Sequence, residues 1–484
     1  MKVALVQAPV FDLKTPSNGL ALLSAHLRAA GIECSVFDAN RGVAKNFMTM
    51  LADGFEDSRT YLPVPDRHEA ATSRFLDLEA DRILAGGPDV VGFSVLARTE
   101  KHSLALAAKI KEREPRARVV FGGAQCLREN LAFDFAADPS VDAVALGEAD
   151  LTFPGFLKGL DLGSRSCAPS PGMLVRKDGR IVDGGDPEVV TELDSLPYLD
   201  LGAFDLDDYA GMVLYLSTTR GCVRKCSFCT HIVGQKTYRT MSAVRTVAEI
   251  RHQMELHPER DNIEFTDSLV NGNVRRLGEV ADLLVDYRLE RVAKRRTGNW
   301  DFGWSGMAII HPTMSPELLR RLRNSGCMML RYGMESASQL VLDSMQKSVR
   351  VADAEKVVRD THKAGIAVFL YVLVGFPTET EAAFRETLDF LERHAPFIKQ
   401  VGVSSCEIQK GSHLDVHPEQ YGLKLPLDDR LRWETADGQN TYAVREDRMR
   451  RINELVDRLG LGSYQFPTRL GATLAAEPQY EFYR

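Results

Sequence analysis

The run Thr-Arg-Gly-Cys-Val-Arg-Lys-Cys-Ser-Phe-Cys-Thr at 219–230 sets three thiols, Cys222, Cys226 and Cys229, within eight residues. It follows the apolar stretch Met-Val-Leu-Tyr-Leu at 212–216. Thiolates are the usual ligands of iron–sulfur clusters, and a cubane cluster has four irons to hold. The local motif supplies three ligands, so one iron is left open to bind a small molecule, much as a catalytic zinc keeps one position open. A cluster built only to carry electrons would close all four. Two other chemistries use the same cysteines: a zinc knuckle with His231 as fourth ligand, and buried structural thiols.

Length and composition bound what such a loop can belong to. A chain of 484 residues predicts about two to four domains, and 44% hydrophobic residues are ample for their cores. A net charge of −7 argues against general attraction to nucleic acid or anionic membrane, so neither is expected as a partner. The basic run at 291–296 reads as a solvated helix end or loop. No apolar stretch approaches a membrane span, and the start Met-Lys-Val-Ala-Leu-Val-Gln-Ala-Pro lacks the apolar region and cleavage site of a signal peptide. Eight cysteines, of which Cys34, Cys126, Cys167, Cys327 and Cys406 are scattered, fit a reducing compartment without a disulfide framework. A cytoplasmic location is expected.

Upstream of the cysteines, residues 1–150 alternate strands at 2–7, 33–38, 90–94 and 119–121 with helical spacing at 19–30 that ends on Gly31. Such alternation implies an α/β, doubly wound, Rossmann-like parallel sheet. Ligands of these sheets lie beyond the carboxyl ends of the strands, here marked by Ser94 and by Gly122 and Gly123, where glycine would let a ligand approach the backbone. No G-x-G-x-x-G follows the first strand, which argues against a dinucleotide. Residues 151–210 read as a linker with a small hairpin around Lys-Asp-Gly-Arg at 177–180.

From 211 to about 410 the pattern repeats strand then helix. Strands are predicted at 213–217, 262–266, 304–309, 328–334, 367–374 and 399–404, and helices at 244–256, 274–287, 316–324, 351–364 and 379–394. Six strands suit a partial (β/α)6 barrel over 211–425, whose site would lie at the strand carboxyl ends. A small C-terminal extension then covers 426–484, with an amphipathic helix at 446–459 and a docking tail, Tyr-Glu-Phe-Tyr-Arg, at 480–484.

The C-x3-C-x2-C spacing, with Phe228 before the last cysteine, resembles the signature of the radical SAM superfamily. The segments Pro-Asp-Val-Val-Gly-Phe-Ser (88–94), Val-Val-Phe-Gly-Gly (119–123) and Ala-Leu-Gly-Glu-Ala-Asp (145–150) resemble the cobalamin (B12)-binding-type domain that precedes the radical module in one subfamily. The resemblance implies a 4Fe–4S cluster on Cys222, Cys226 and Cys229, and S-adenosylmethionine cleaved to a 5′-deoxyadenosyl radical. It also implies a ferredoxin- or flavodoxin-type reductant and a small-molecule substrate. Phe228 stands in the motif's aromatic place. Glu335, in Tyr-Gly-Met-Glu-Ser-Ala-Ser (332–338), stands where the family directs a carboxylate to the bound S-adenosylmethionine. Gly375 and Pro377 form the turn that faces adenine, although Thr378 and Glu381 also have the spacing of a capping box. Asp267 would face the cavity from a strand end. Tyr371, Glu407, Arg331 and Asn299 are further polar candidates, each equally able to satisfy a neighbour.

Two chemistries remain open for the N-terminal half. If it binds cobalamin, the resemblance implies methylation of an unactivated carbon. If it is only structural, the same radical would start dehydration, deoxygenation or rearrangement of a polar substrate such as an aminosugar. The Asp-x-His-x-x-Gly run that gives cobalt a histidine elsewhere is absent, as it is from many members of this type.

Overall fold

Lys2–Gln7 (β1) is apolar along its buried length and lies between Glu33–Asp38 (β2) and Val90–Ser94 (β3), all parallel. Arg118–Gly122 (β4) and Ala143–Ala145 (β5) continue the parallel sheet. Met173–Lys177 (β6) and Arg180–Asp183 (β7) then add antiparallel strands, with Lys177 opposite Arg180 as an Asp-Gly turn demands, and the order is β2-β1-β3-β4-β5-β6-β7. This is a computed structural model, and it describes residues 1–9, 15–39, 66–97, 99–163, 167–177, 179–209, 213–235, 237–294, 302–427 and 429–465. Asn299 and the tail at 480–484 lie outside the described residues. The chain divides after residue 211 into two compact units.

Helices cover the first sheet because its central strands β1, β3 and β4 are buried on both faces. Asn18–Ala29 starts one residue before the predicted helix, where the Ser17 side chain accepts from Leu20 N. Asp66–Leu84 and Glu100–Arg113 run along one another. On that side Phe93 packs on Phe121 with ring centroids 5.1 Å apart, and Phe121 on Phe135 at 5.4 Å. Because β1, β3 and β4 are parallel, Gln7, Ser94 and Gly122 finish at one edge of this sheet.

In the second unit Val213–Leu216 (β8) is followed by a two-residue ladder, Thr219–Arg220 (β9) against Arg239–Thr240 (β10). The main sheet continues through Asn262–Phe265 (β11), Gly303–Ala308 (β12), Cys327–Glu335 (β13), Ala367–Val374 (β14), Gln400–Ser405 (β15) and Gly462–Gln465 (β16). All neighbours are parallel, in the order β16-β15-β14-β13-β12-β11-β8. The six expected strands are present, and β16 is a seventh. Residues 442–465, expected as a C-terminal extension, therefore add a helix, Tyr442–Arg458, and a strand to the same sheet. Its four residues, Gly-Ser-Tyr-Gln, show no apolar alternation, so nothing local announces a strand.

Helix limits follow their caps. Pro316–Asn324 is closed by Ser315, which accepts from Leu318 N, by proline in the first turn, and by Arg321 and Arg323 in the last. Val274–Lys294 runs past the predicted end at 287, taking the start of the basic run at 291–296 into the helix. No helix among the described residues is long and apolar enough to cross a membrane.

Alternate faces of a barrel strand meet helices and interior. Tyr332 bonds the Thr361 hydroxyl at 2.9 Å, in the helix Val351–Lys363, so Tyr332 faces outward and Arg331 inward. Trp304 is fully buried, with Nε1 donating to Ser325 Oγ at 3.0 Å and its ring edge on Phe265 at 5.5 Å. Ser305 therefore faces the interior. Replacing Trp304 with Ala should destabilise the second unit by about 3–5 kcal/mol, as large core truncations do. Urea unfolding followed by circular dichroism measures this, and a loss under about 1 kcal/mol would show that this face does not carry the core.

Candidate active site

Where β8 ends, one carboxylate fixes the path of the chain. Asp267 accepts from Thr218 N at 2.6 Å, Thr219 N at 2.8 Å and the Thr218 hydroxyl at 2.7 Å. Arg276 backs the knot, donating to Thr218 Oγ1 at 2.9 Å and Thr246 Oγ1 at 2.7 Å. Asp267 is 2% exposed, so the structure places it beneath the loop and not, as expected, facing a cavity. Gly221 follows with φ +79°, its N–H donating to Gln235 Oε1 at 2.6 Å. A Cβ there would stand 2.4 Å from the Thr237 carbonyl oxygen, so this position requires glycine.

The ladder β9–β10 closes an excursion that carries Cys222, Cys226 and Cys229. Cys226 is buried and the other two are half-buried. Burial pushes the Cys226 thiol up to about 11, opposed by the Lys347 charge, and pushes Cys229 up as well. The three thiols share one eight-residue loop, and Cys222 and Cys229 add slightly to the rise at Cys226. Cys222 Sγ and Cys229 Sγ accept backbone N–H from Arg224 and His231, each at 3.4 Å. Phe228 packs against a buried cluster that includes Met345, Phe376, Cys406 and Leu414.

The donor set fits a cubane cluster, whose irons each take one thiolate, better than a single ion. Among the described residues, no three His, Cys, Asp or Glu side chains gather round one ion's position. His231, the fourth ligand a zinc site would need, turns Nε2 to the Ser268 hydroxyl.

The cysteine loop is tied to the segment after β13. Ser227 N donates to the Met345 carbonyl at 2.9 Å, and Leu414 N donates to the Ser227 carbonyl at 3.0 Å. Lys347 Nζ lies 2.7 Å from Glu335 Oε1, both side chains largely buried, and 5.7 Å from the Phe228 ring centroid. The pairing of β13 with β14 shifts register between Gly333 and Glu335, and Glu335 adopts φ +66°. A Cβ on Gly333 would stand 2.7 Å from Glu335 Oε1 and 2.9 Å from Lys347 Nζ, so glycine makes room for the pair. Lys347 was not legible in the sequence, where Met-Gln-Lys-Ser at 345–348 reads as a polar turn.

The turn after β14 is braced from the C-terminal helix. Gly375 has φ +78°, and its N–H donates to Glu379 Oε2 at 2.7 Å. Asn440 Nδ2 donates to the Gly375 and Phe376 carbonyls at 3.2 and 2.9 Å. Arg445 occupies the space a Gly375 Cβ would need, with its guanidinium 3.8 Å over the Trp433 ring. These backbone groups are thus engaged within the protein, and Pro377 beside them is buried. The capping box expected at Thr378 and Glu381 does not form. The helix Glu381–His394 begins too late for that box and is capped by Thr380 through Ala383 N at 3.2 Å, while Glu379 is held by Gly375 N and by Arg448 at 3.1 Å.

Inside the sheet's curve Glu264 bonds both the Arg331 guanidinium and the Ser305 hydroxyl. Tyr371 packs at a tilt against Phe369 with centroids 4.6 Å apart, and a Cβ on the facing Gly402 would come within 3.0 Å of both rings. Glu407, just past β15, is half-buried, and burial with the Asp429 charge pushes its carboxyl up. The structure thus gathers the cysteines, Phe228 and Glu335 round Lys347.

In the first unit a different set meets at one sheet edge. Gly123 has φ +100°, and a Cβ there would lie 2.8 Å from the backbone N and O of Val95, so chain-to-chain packing requires glycine. Gly122 has ordinary space. Gln7 is fully buried, with Nε2 donating to the Ser94 carbonyl at 3.2 Å and no partner for Oε1 among the described residues. His102, 7% exposed, likewise shows no full hydrogen bond on its ring nitrogens among the described residues. Burial, aided by the Lys101 charge, lowers its pKa, although the Pro9 backbone favours the charged ring. Gln7 Oε1, at the end of β1, and the His102 ring, in the first turn of the helix Glu100–Arg113, are buried polar groups that fit a bound polar ligand.

Residues 216–391 match the model of the radical SAM superfamily. The chain is 23% identical over 362 residues to an uncharacterized methyltransferase of Pyrococcus horikoshii, covering 73% of this chain and 70% of that one. It is 23% identical over 431 residues to cytidylyl-2-hydroxyethylphosphonate methyltransferase of Streptomyces wedmorensis, covering 80% and 74%. Its fold is shared with TsrM, a radical S-adenosylmethionine methyltransferase of Kitasatospora setae solved with cobalamin and a 4Fe–4S cluster, at TM-score 0.65 and 16% identity over 89% and 78% of the chains.

Two substitutions test these braces. Asp267→Ala leaves two buried backbone N–H groups unpaired, which should cost roughly 2–5 kcal/mol and lower the iron retained after reconstitution. Iron retained at the unaltered level with no stability loss would remove Asp267 from this role. Arg448→Met strands Glu379, whose carboxyl burial already pushes up to about 7. A carboxyl raised in the fold favours folding below its unfolded value and loses that contribution as pH rises through the folded one. The variant's stability loss should therefore grow from pH 5.5 to pH 8, reaching about 3–5 kcal/mol there, as urea titrations at both pH values would show.

Proposed function

We propose that this chain, whose residues 216–391 belong to the radical SAM superfamily, is a cobalamin-dependent radical enzyme that methylates a carbon of a small-molecule substrate. One observation carries the reading: three thiols on a braced loop at the carboxyl end of the parallel sheet, with a buried Lys347–Glu335 pair beside them. When bound, the cluster with S-adenosylmethionine supplies an adenosyl radical and cobalamin supplies a methyl group.

The residues divide the work by position. Cys222, Cys226 and Cys229 hold the cluster, and Phe228 anchors their loop in the core. Glu335 is placed to receive the amino-acid end of S-adenosylmethionine, and Gly375 and Pro377 shape a wall for its adenine. Glu264, Ser305, Arg331 and Tyr371 face the interior and orient the substrate, while Glu407 is a candidate proton carrier at the rim. Ser94, Gly122 and Gly123, joined by Gln7 and His102, would hold cobalamin at the edge of the first sheet. The names of the Streptomyces relative and of TsrM support methyl transfer. Eight free cysteines support a reducing cytoplasm, where a ferredoxin- or flavodoxin-type protein would supply the electron.

Anaerobic reconstitution with iron, sulfide and hydroxocobalamin, followed by metal counts and a deoxyadenosine assay, tests this. The expected result is four irons and one cobalt per chain, deoxyadenosine formed with S-adenosylmethionine and reductant, and loss of both iron and product in Cys226→Ser. Deoxyadenosine without retained cobalt would overturn methyl transfer in favour of dehydration or rearrangement. Zinc in place of iron, with no deoxyadenosine, would overturn the radical assignment.

A further inference from the structure

Among the described residues, three that are not glycine adopt left-handed backbone: Glu335 at φ +66°, Gln346 at +55° and Ser348 at +54°. Such residues are strained and persist where the surroundings impose them. All three belong to one feature. Gln346 and Ser348 flank Lys347, and Glu335 is its partner at 2.7 Å.

The surroundings explain how the strain is held. The Ser227 N–H and hydroxyl donate to the carbonyls of Met345 and Ser344 at 2.9 and 3.5 Å, so the turn carrying Lys347 is bonded to the cysteine loop itself. Gly333 leaves the space in which the ammonium and carboxylate meet. Lys347 is 7% exposed, and its charge acts on both Cys226 and Cys229. A buried cation is costly unless compensated, and one carboxylate compensates this one only where its Oε1 can reach. Burial denies the cysteines much of the screening water that would otherwise hide such a charge.

We infer that Lys347 and Glu335 are a matched pair of positioning residues that set the reduction potential of the cluster held by Cys222, Cys226 and Cys229. This rests on the cluster reading above. One electron from a low-potential donor reduces the cluster and adds one negative charge to a group already ligated by thiolates. A fixed cation alongside stabilises the reduced state and raises the potential, while a fixed carboxylate does the reverse. The pair balances the two.

The sign of the effect separates this role from packing. Redox titration of the reconstituted protein without S-adenosylmethionine, followed by electron paramagnetic resonance, reads the potential directly. Lys347→Met should lower it, shifting the reduction equilibrium about tenfold, or ~59 mV for one electron. Glu335→Gln should raise it by a similar amount, and Lys347→Arg should leave it near the unaltered value. Loosening of the loop would move both broken-pair variants in one direction, which would overturn the inference. So would unchanged potentials in both variants with weakened S-adenosylmethionine binding, which would make the pair a ligand contact alone. If the unaltered protein retains no cluster, the cluster reading itself falls; if the cluster forms and the potentials do not diverge, only the present inference does.

Discussion

The Asp267 carboxylate decides where the cysteine loop leaves the sheet. A parallel strand ends in unpaired backbone groups, and those of Thr218 and Thr219 are buried, so something must accept from them. Asp267 does so from just past the end of the adjacent β11, with Arg276 behind it. Gly221, the β9–β10 ladder and the three thiols all follow from that fixed exit. The carboxylate expected to face the cavity is instead a brace, and its burial is the physical sign of the difference.

The same logic joins distant parts of the second unit. Glu379, Asn440, Arg445 and Arg448 converge on the turn at Gly375, so the helix Tyr442–Arg458 secures a strand end some seventy residues earlier in the chain. A charged side chain as deeply buried as Arg445 is retained at a cost, offset here by carbonyls of Leu431 and Trp433 at 2.9 and 2.8 Å and by the Trp433 face. Phe228, Met345 and Phe376 share one core, which makes the cysteine loop, the Lys347 turn and the Gly375 turn a single packed body.

Much of this was legible because the sequence repeats its local signals. Ser-Pro-Glu at 315–317 and Asn-Ser-Gly at 324–326 bracket a helix unambiguously, and strand 367–374 is an unbroken apolar run between Gly365 and Gly375. The cysteine spacing names its own chemistry. What escaped depends on partners remote in sequence. β16 is a strand only because β15 offers an edge, and Lys347 matters only because Glu335 and the cysteine loop fold against it. A lysine in a polar turn carries no mark of burial.

The proposed function stands on three thiols that hold a cluster with one iron open to S-adenosylmethionine. Electron paramagnetic resonance of the reduced, reconstituted protein before and after adding S-adenosylmethionine tests it directly. A cubane signal whose g values shift on addition is expected, because the ligand would bind the iron that no cysteine holds. A signal indifferent to S-adenosylmethionine, or a cluster whose irons all carry protein ligands, would contradict it.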